Sequence, residues 1–207
     1  MRILFQGDSI TDWKRDYNDE KSLGIGYVLY TVEALKKAYP DLDIEFINKG
    51  ISGNRTENLL ARIEVELIDL KPDIVTLLLG VNDTWHKFSG HDNKTIEQFC
   101  ENYELILQRI KNETNAKLIV MEPFLVYNMG KDEMRADLNE KIDCIRRIAM
   151  KYVDAYIPLD GLFATAAISG VPCGELAYDG VHPDEAGKRL ICDALVPVIF
   201  KTIDEIK

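Results

Sequence analysis

Residues 74–79 read Ile-Val-Thr-Leu-Leu-Leu, an almost unbroken apolar run. A strand with one face in water alternates apolar and polar residues, so a strand built from this run needs cover on both faces. Helices packed on either side of a parallel sheet supply that cover. Four further runs have the same character, at 3–6, 44–48, 118–122 and 155–159. Between them the apolar period changes. Ile96, Phe99, Tyr103, Ile106, Leu107 and Ile110 recur at three- and four-residue spacing, as do Leu138, Ile142, Ile145, Ile148, Ala149 and Tyr152, which is the stripe of an amphipathic helix. Looser helical patterns cover 28–39 and 59–70, and Pro183 is placed to open a last helix running to 206, since proline suits the first helical position. Strands alternating with helices, joined by right-handed crossovers, predict a three-layer α/β/α sandwich around a five-stranded parallel sheet. With 207 residues and no repeat, low-complexity tract or linker-like stretch, residues 1–207 are read as one domain.

Charge narrows the partners. A formal charge of -10, with no basic stripe, argues against nucleic acid or an anionic membrane, because phosphate binding needs a basic surface. No apolar run is long enough to cross a bilayer, and no secretory leader pattern precedes the first strand, so the expected location is the cytoplasm. Cys100, Cys144, Cys173 and Cys192 are widely spaced and form no C-x-x-C pair. They are expected to be small core residues in a reducing compartment, not a disulfide framework or a zinc site. His86 and His91 sit in a polar stretch and are read as solvated, since a metal site built on them lacks a third ligand.

Three punctuated stretches follow strands: GDSIT after the first, NKGISGNRT after the second and GVNDTW after the third. In a parallel sheet these fall on one edge, beyond the carboxyl ends of the strands, where ligands bind. A fourth stretch, YDGVHPDEAG, precedes the last helix. Ser9 becomes a nucleophile if a base takes its proton, and histidine is the side chain suited to that task near neutral pH. Of the three histidines, His182 lies three residues after Asp179 in a glycine-containing turn, a spacing at which the carboxylate can fold back and fix the imidazole tautomer. Backbone N–H groups of Ser9 and Gly53, with an amide N–H offered by Asn82, are the candidate donors to an oxyanion. Each residue also has a purely structural reading: Ser9 as a helix N-cap, Gly53 as a turn glycine, Asn82 as a cap or Asx-turn, and Asp179 and His182 as a surface turn before Pro183.

In order and spacing, GDSIT, GISGN, GVND and DGVHP resemble the four defining blocks of the SGNH (GDSL-type) hydrolases, with Ile10 in place of the leucine of the family nickname. The resemblance implies a flavodoxin-like SGNH hydrolase fold, Ser9 as nucleophile, His182 as general base, Asp179 as its orienting carboxylate, and Ser9, Gly53 and Asn82 as the oxyanion hole. GDSITD, LGIGYV, INKGISGNR, GVNDTW and MEPF further resemble the intracellular acetylxylan esterase branch, which removes acetyl groups from xylo-oligosaccharides and related sugars. Neither metal nor organic cofactor is implied, and the expected partner is a small-molecule or oligosaccharide ester.

Trp85, three positions after Asn82, together with Trp13 near Ser9 and Tyr178 near Asp179 in sequence, offers aromatic faces to a sugar ring, and no long apolar lid of the kind a lipase needs is present. Trp85, Tyr178, Asp8 and Arg55 are the remaining candidates for contact with substrate. Packing is the alternative for Trp85, a turn role for Asp8, and an ion pair or loop hydrogen bond for Arg55 and its neighbour Asp83. The segment FLVYNMGKDEMRADL is either a lip over the site or a contact between copies in a homo-oligomer. A lysophospholipase or acyl-thioesterase of the same fold, and a noncatalytic carbohydrate-binding module, are the competing readings.

Overall fold

The computed structural model describes residues 1–90, 94–128 and 130–207; His91 and Met129 of the stretches discussed above lie outside them. The expected strands form at Arg2–Gly7 (β1), Glu45–Gly50 (β2), Ile74–Leu78 (β3), Lys117–Met121 (β4) and Ala155–Ile157 (β5). They pair in parallel in the order β2-β1-β3-β4-β5. Two-sided burial follows from the period of two along each strand. Ile3 and Phe5 of β1, with Ile74 and Leu78 of β3, face one core, whereas Leu4, Val75 and Leu77 face the other.

Helices cover both faces. On the first core lie Tyr27–Ala38 (α2), Leu159–Ile168 (α7) and Glu185–Ile206 (α9); on the second lie Thr56–Ile63 (α3) and Ile96–Glu113 (α5), and Asp132–Tyr152 (α6) contributes to both. Shorter helices occupy Ser9–Asp12 (α1), Val81–Phe88 (α4) and Cys173–Leu176 (α8). None of the helices among the described residues is long and apolar enough to cross a membrane.

Several expectations are corrected. Helix α3 runs on as a π-helical turn at Glu64–Ile68. The GVNDTW stretch is a helix and not a loop, because Gly80 adopts φ 125° and lets the chain turn directly from β3 into α4. Leu159 opens α7 and does not extend β5. Pro183 precedes the last helix without joining it: it pairs with Ala177 in an isolated antiparallel bridge. Asp184 is the N-cap instead, its carboxylate accepting from Glu185 N–H at 2.9 Å. Cys100 and Cys144 are joined as a disulfide. Their 44-residue separation concealed the pairing, which arises because α5 and α6 lie side by side on the same face of the sheet.

Helix α1, which begins with Ser9, is seated by glycine. A Cβ on Gly50 would meet Asp12 N at 2.3 Å and the Thr11 carbonyl carbon at 2.7 Å, so α1 rests directly on the end of β2. Asn48 completes the seat, its buried amide donating to Thr11 O at 2.8 Å and Leu23 O at 2.9 Å. Gly50→Ala is expected to destabilise the fold by about 1–3 kcal/mol through overpacking, measured as a lowered urea midpoint.

Candidate active site

β1 ends at Gly7, and the next residue, Asp8, caps α1 by accepting from Ile10 N–H at 3.0 Å. Ser9 is therefore the first helical residue and not the cap, which frees its hydroxyl. Ser9 Oγ lies 3.1 Å from His182 Nε2. On the far side of the ring, His182 Nδ1 lies 2.7 Å from Asp179 Oδ2, so the carboxylate accepts a hydrogen bond from Nδ1–H, keeps the proton on that nitrogen and leaves an Nε2 lone pair facing the hydroxyl. Asp179 is itself fixed: its Oδ1 accepts from Val181 N–H at 3.0 Å and His182 N–H at 2.8 Å. Partial burial raises its proton affinity, but hydrogen bonds from the His182 backbone and ring and the Val181 backbone outweigh this and hold it below the ordinary carboxylate value.

The neighbouring strands β2 and β3 end level with β1 and lead into a loop and into α4. Gly53, at φ 78°, sits in the loop after β2, and a Cβ placed there would meet nothing within 4 Å. Its open side is therefore space that a reacting group can enter. Asn82, near the start of α4 and only 7% exposed, donates through Nδ2 to Asn54 O at 3.1 Å. One side-chain N–H is thus spent on holding the Gly53 loop, and the second is uncommitted. Asp83 strengthens the same junction, accepting from Thr56 Oγ1 at 2.7 Å and from Thr56 N–H at 3.2 Å. The loop hydrogen-bond reading of Asp83 holds.

Residues 5–190 match the model of the GDSL-like lipase/acylhydrolase family. The chain belongs to this family. It is 33% identical over 202 residues to the acetylxylan esterase of Geobacillus stearothermophilus, covering 94% of this chain and 92% of that one. Esterase TesA of Pseudomonas aeruginosa is 26% identical over 199 residues, covering 95% and 87%. A solved structure of the Geobacillus acetylxylan esterase superposes with a TM-score of 0.85 at 30% identity, covering 95% of this chain and 92% of that chain.

In this GDSL-family chain three aromatic rings surround the imidazole. Trp13, Trp85 and Tyr178 have ring centroids 6.1, 6.4 and 5.9 Å from that of His182, and Tyr178 is stacked on it. Arg55 is drawn into an ion pair with Glu57 at the start of α3. His86 lies in the last turn of α4 and takes no part in the Ser9–His182–Asp179 chain. The segment after β4 packs on the Asp179–His182 turn, with Val126 N–H donating to Gly180 O at 2.8 Å and Lys131 Nζ donating to Asp179 O. Sequence reading missed Lys131, because the irregular stretch before it has no period from which a contact can be read. An apolar cavity of about 270 Å³ lies behind the same segment, lined by Leu125, Phe163 and Ile168 but not by Ser9 or His182.

Asp8 is fully buried, and its Oδ2 has no hydrogen-bond partner among the described residues. Burial pushes its pKa up to about 7; the Ile10 N–H opposes the shift and the nearby Asp83 charge adds to it. The folded state therefore holds a proton that the unfolded chain releases near pH 4. Stability should fall as the pH rises from about 4 to about 7, by on the order of a few kcal/mol for this group. Asp8→Asn keeps an acceptor for Ile10 N–H without the charge, so its melting temperature is expected to vary less over that window in a pH series of thermal scans.

Proposed function

We propose that the protein is a serine acetylesterase that removes O-acetyl groups from xylo-oligosaccharides or related sugars. The observation that carries this reading is the unbroken chain Ser9–His182–Asp179, with contacts of 3.1 and 2.7 Å, at the end of β1, where the neighbouring strands β2 and β3 lead to the Gly53 loop and to Asn82 in α4, themselves joined by the Asn82–Asn54 hydrogen bond. The acetylxylan esterase relative supports the substrate class, and the tryptophans beside His182 suit the face of a sugar ring.

In this mechanism His182 Nε2 takes the Ser9 proton as Oγ attacks the acetyl carbonyl, and the electron pair of the C=O moves onto its oxygen. Backbone N–H groups of Ser9 and Gly53 and the free N–H of Asn82 Nδ2 receive that oxyanion. Ser9 has no preceding turn to bond its N–H, being the first residue of its helix. Collapse of the tetrahedral species breaks the bond to the sugar oxygen, which takes the proton from His182, and leaves an acetyl group on Ser9. Water then attacks the acetyl carbonyl with His182 again as base, and acetate departs as the proton returns to Ser9. Asp179 stays ionised throughout and stabilises the imidazolium formed in each half.

Ser9→Ala is expected to abolish hydrolysis of acetylated xylo-oligosaccharides without loss of fold. Asn82→Ala should lower kcat by on the order of a hundredfold or more, as expected for loss of an oxyanion donor. With acetyl, butyryl and octanoyl esters of one alcohol, kcat/KM should fall as the acyl chain lengthens. A preference for octanoyl would instead support a lysophospholipase or thioesterase, and near-native turnover by Ser9→Ala would exclude a serine esterase altogether.

A further inference from the structure

Each tryptophan beside His182 is covered by a lysine. Lys131 Nζ lies 4.2 Å from the Trp85 ring centroid, and Lys188 Nζ, from the first turns of α9, lies 4.7 Å from that of Trp13. Both lysines are half-buried, and among the described residues neither forms an ion pair. Elsewhere Lys87 and Lys141 share Asp137, and Lys111 and Lys117 share Asp154.

The carboxylates next to Lys188 are occupied. Asp184 caps α9, and Glu185 accepts from Tyr30 Oη at 2.8 Å and pairs with Arg189 at 2.6 Å. Lys131 spends one proton on the Asp179 carbonyl and keeps two donors. A partly desolvated ammonium gains from an indole face but gains more from an anion. Two such groups, each on an indole that flanks the general base, form a surface suited to a flat ring carrying a negative charge.

We propose that the preferred substrate is an O-acetylated oligosaccharide bearing a uronic acid, whose carboxylate is read by Lys188 or Lys131 at the rim beside Trp13 and Trp85. This rests on the acetylesterase reading and narrows it. Lys188 and Lys131 are the cations that such a carboxylate would meet here, in a chain whose formal charge is -10. The two lysines thereby select among acetylated sugars without touching the acetyl group.

The test compares kcat/KM for acetylated xylo-oligosaccharides with and without a uronic acid substituent. The wild type should favour the acidic substrate by about fivefold at low salt, and the advantage should shrink as salt screens it. Lys188→Met should bring the ratio toward one, Lys188→Glu should invert it, and Lys188→Arg should retain it. The proposal is overturned if the wild type treats both substrates alike, or if Lys188→Met and Lys188→Glu leave the ratio unchanged. Failure to hydrolyse either oligosaccharide, or 4-nitrophenyl acetate, would overturn the acetylesterase reading and this proposal with it; turnover of the neutral substrate without any acidic preference overturns only this one.

Discussion

Parallel pairing of β1 with both β2 and β3 places Gly50, Gly7 and Leu78 in one row across the sheet. All three chains leave the sheet at the same level, and within a few residues they deliver Gly53, Ser9 and Asn82. The site depends on that shared register. A one-residue slip of any strand would turn its buried side chains to the opposite core and move its loop out of the row. The position also lies at the topological switch point, where β1 is flanked by strands whose connections run in opposite directions, the place at which open α/β sheets bind ligands. Asp179 and His182 then need only one further turn, held by the Ala177–Pro183 bridge in front of α9 and by the contacts of Val126 and Lys131 behind it.

Two aspartates in this small region show how environment divides one functional group between two states. Asp179 is half-buried yet accepts from two backbone N–H groups and the imidazole, so its anion is favoured. Asp8, one residue before Ser9, is sealed from water with its Oδ1 accepting from Ile10 N–H and the charge of Asp83 nearby, so its neutral form is favoured up to about pH 7. The consequence is electrostatic economy. In the proposed mechanism an ionised Asp179 supports the imidazolium, and below about pH 7 a protonated Asp8 puts no second negative charge beside the Ser9 amide.

The strands were legible in the sequence because two-sided burial leaves unbroken apolar runs, and 74–79 reads as β3 to within one residue. The motif blocks were legible because each joins a glycine to a polar group just past such a run. Less legible were features that depend on packing between distant elements. The Cys100–Cys144 pairing requires knowing that α5 and α6 are neighbours. Helix α7 has the sequence LDGLFATAAI, in which small and apolar residues surround the axis and leave no clear stripe. The alternative reading of Ser9 as an N-cap could be set aside only from the backbone, which shows that Asp8 holds that place. Lys131 and Lys188 gave no signal, since their contacts with Trp85 and Trp13 join residues 46 and 175 positions apart in the chain.

Trapping the covalent intermediate tests acyl transfer to Ser9 most directly. The enzyme would be mixed with excess acetylated substrate, quenched in acid within its first turnovers, digested and examined by peptide mass spectrometry. The mechanism predicts one acetyl group on the peptide that contains Ser9, formed before steady-state release of acetate and absent from Ser9→Ala. Steady acetate release with no acetylated Ser9 at any quench time, or an acetyl group carried by a different residue, would contradict it.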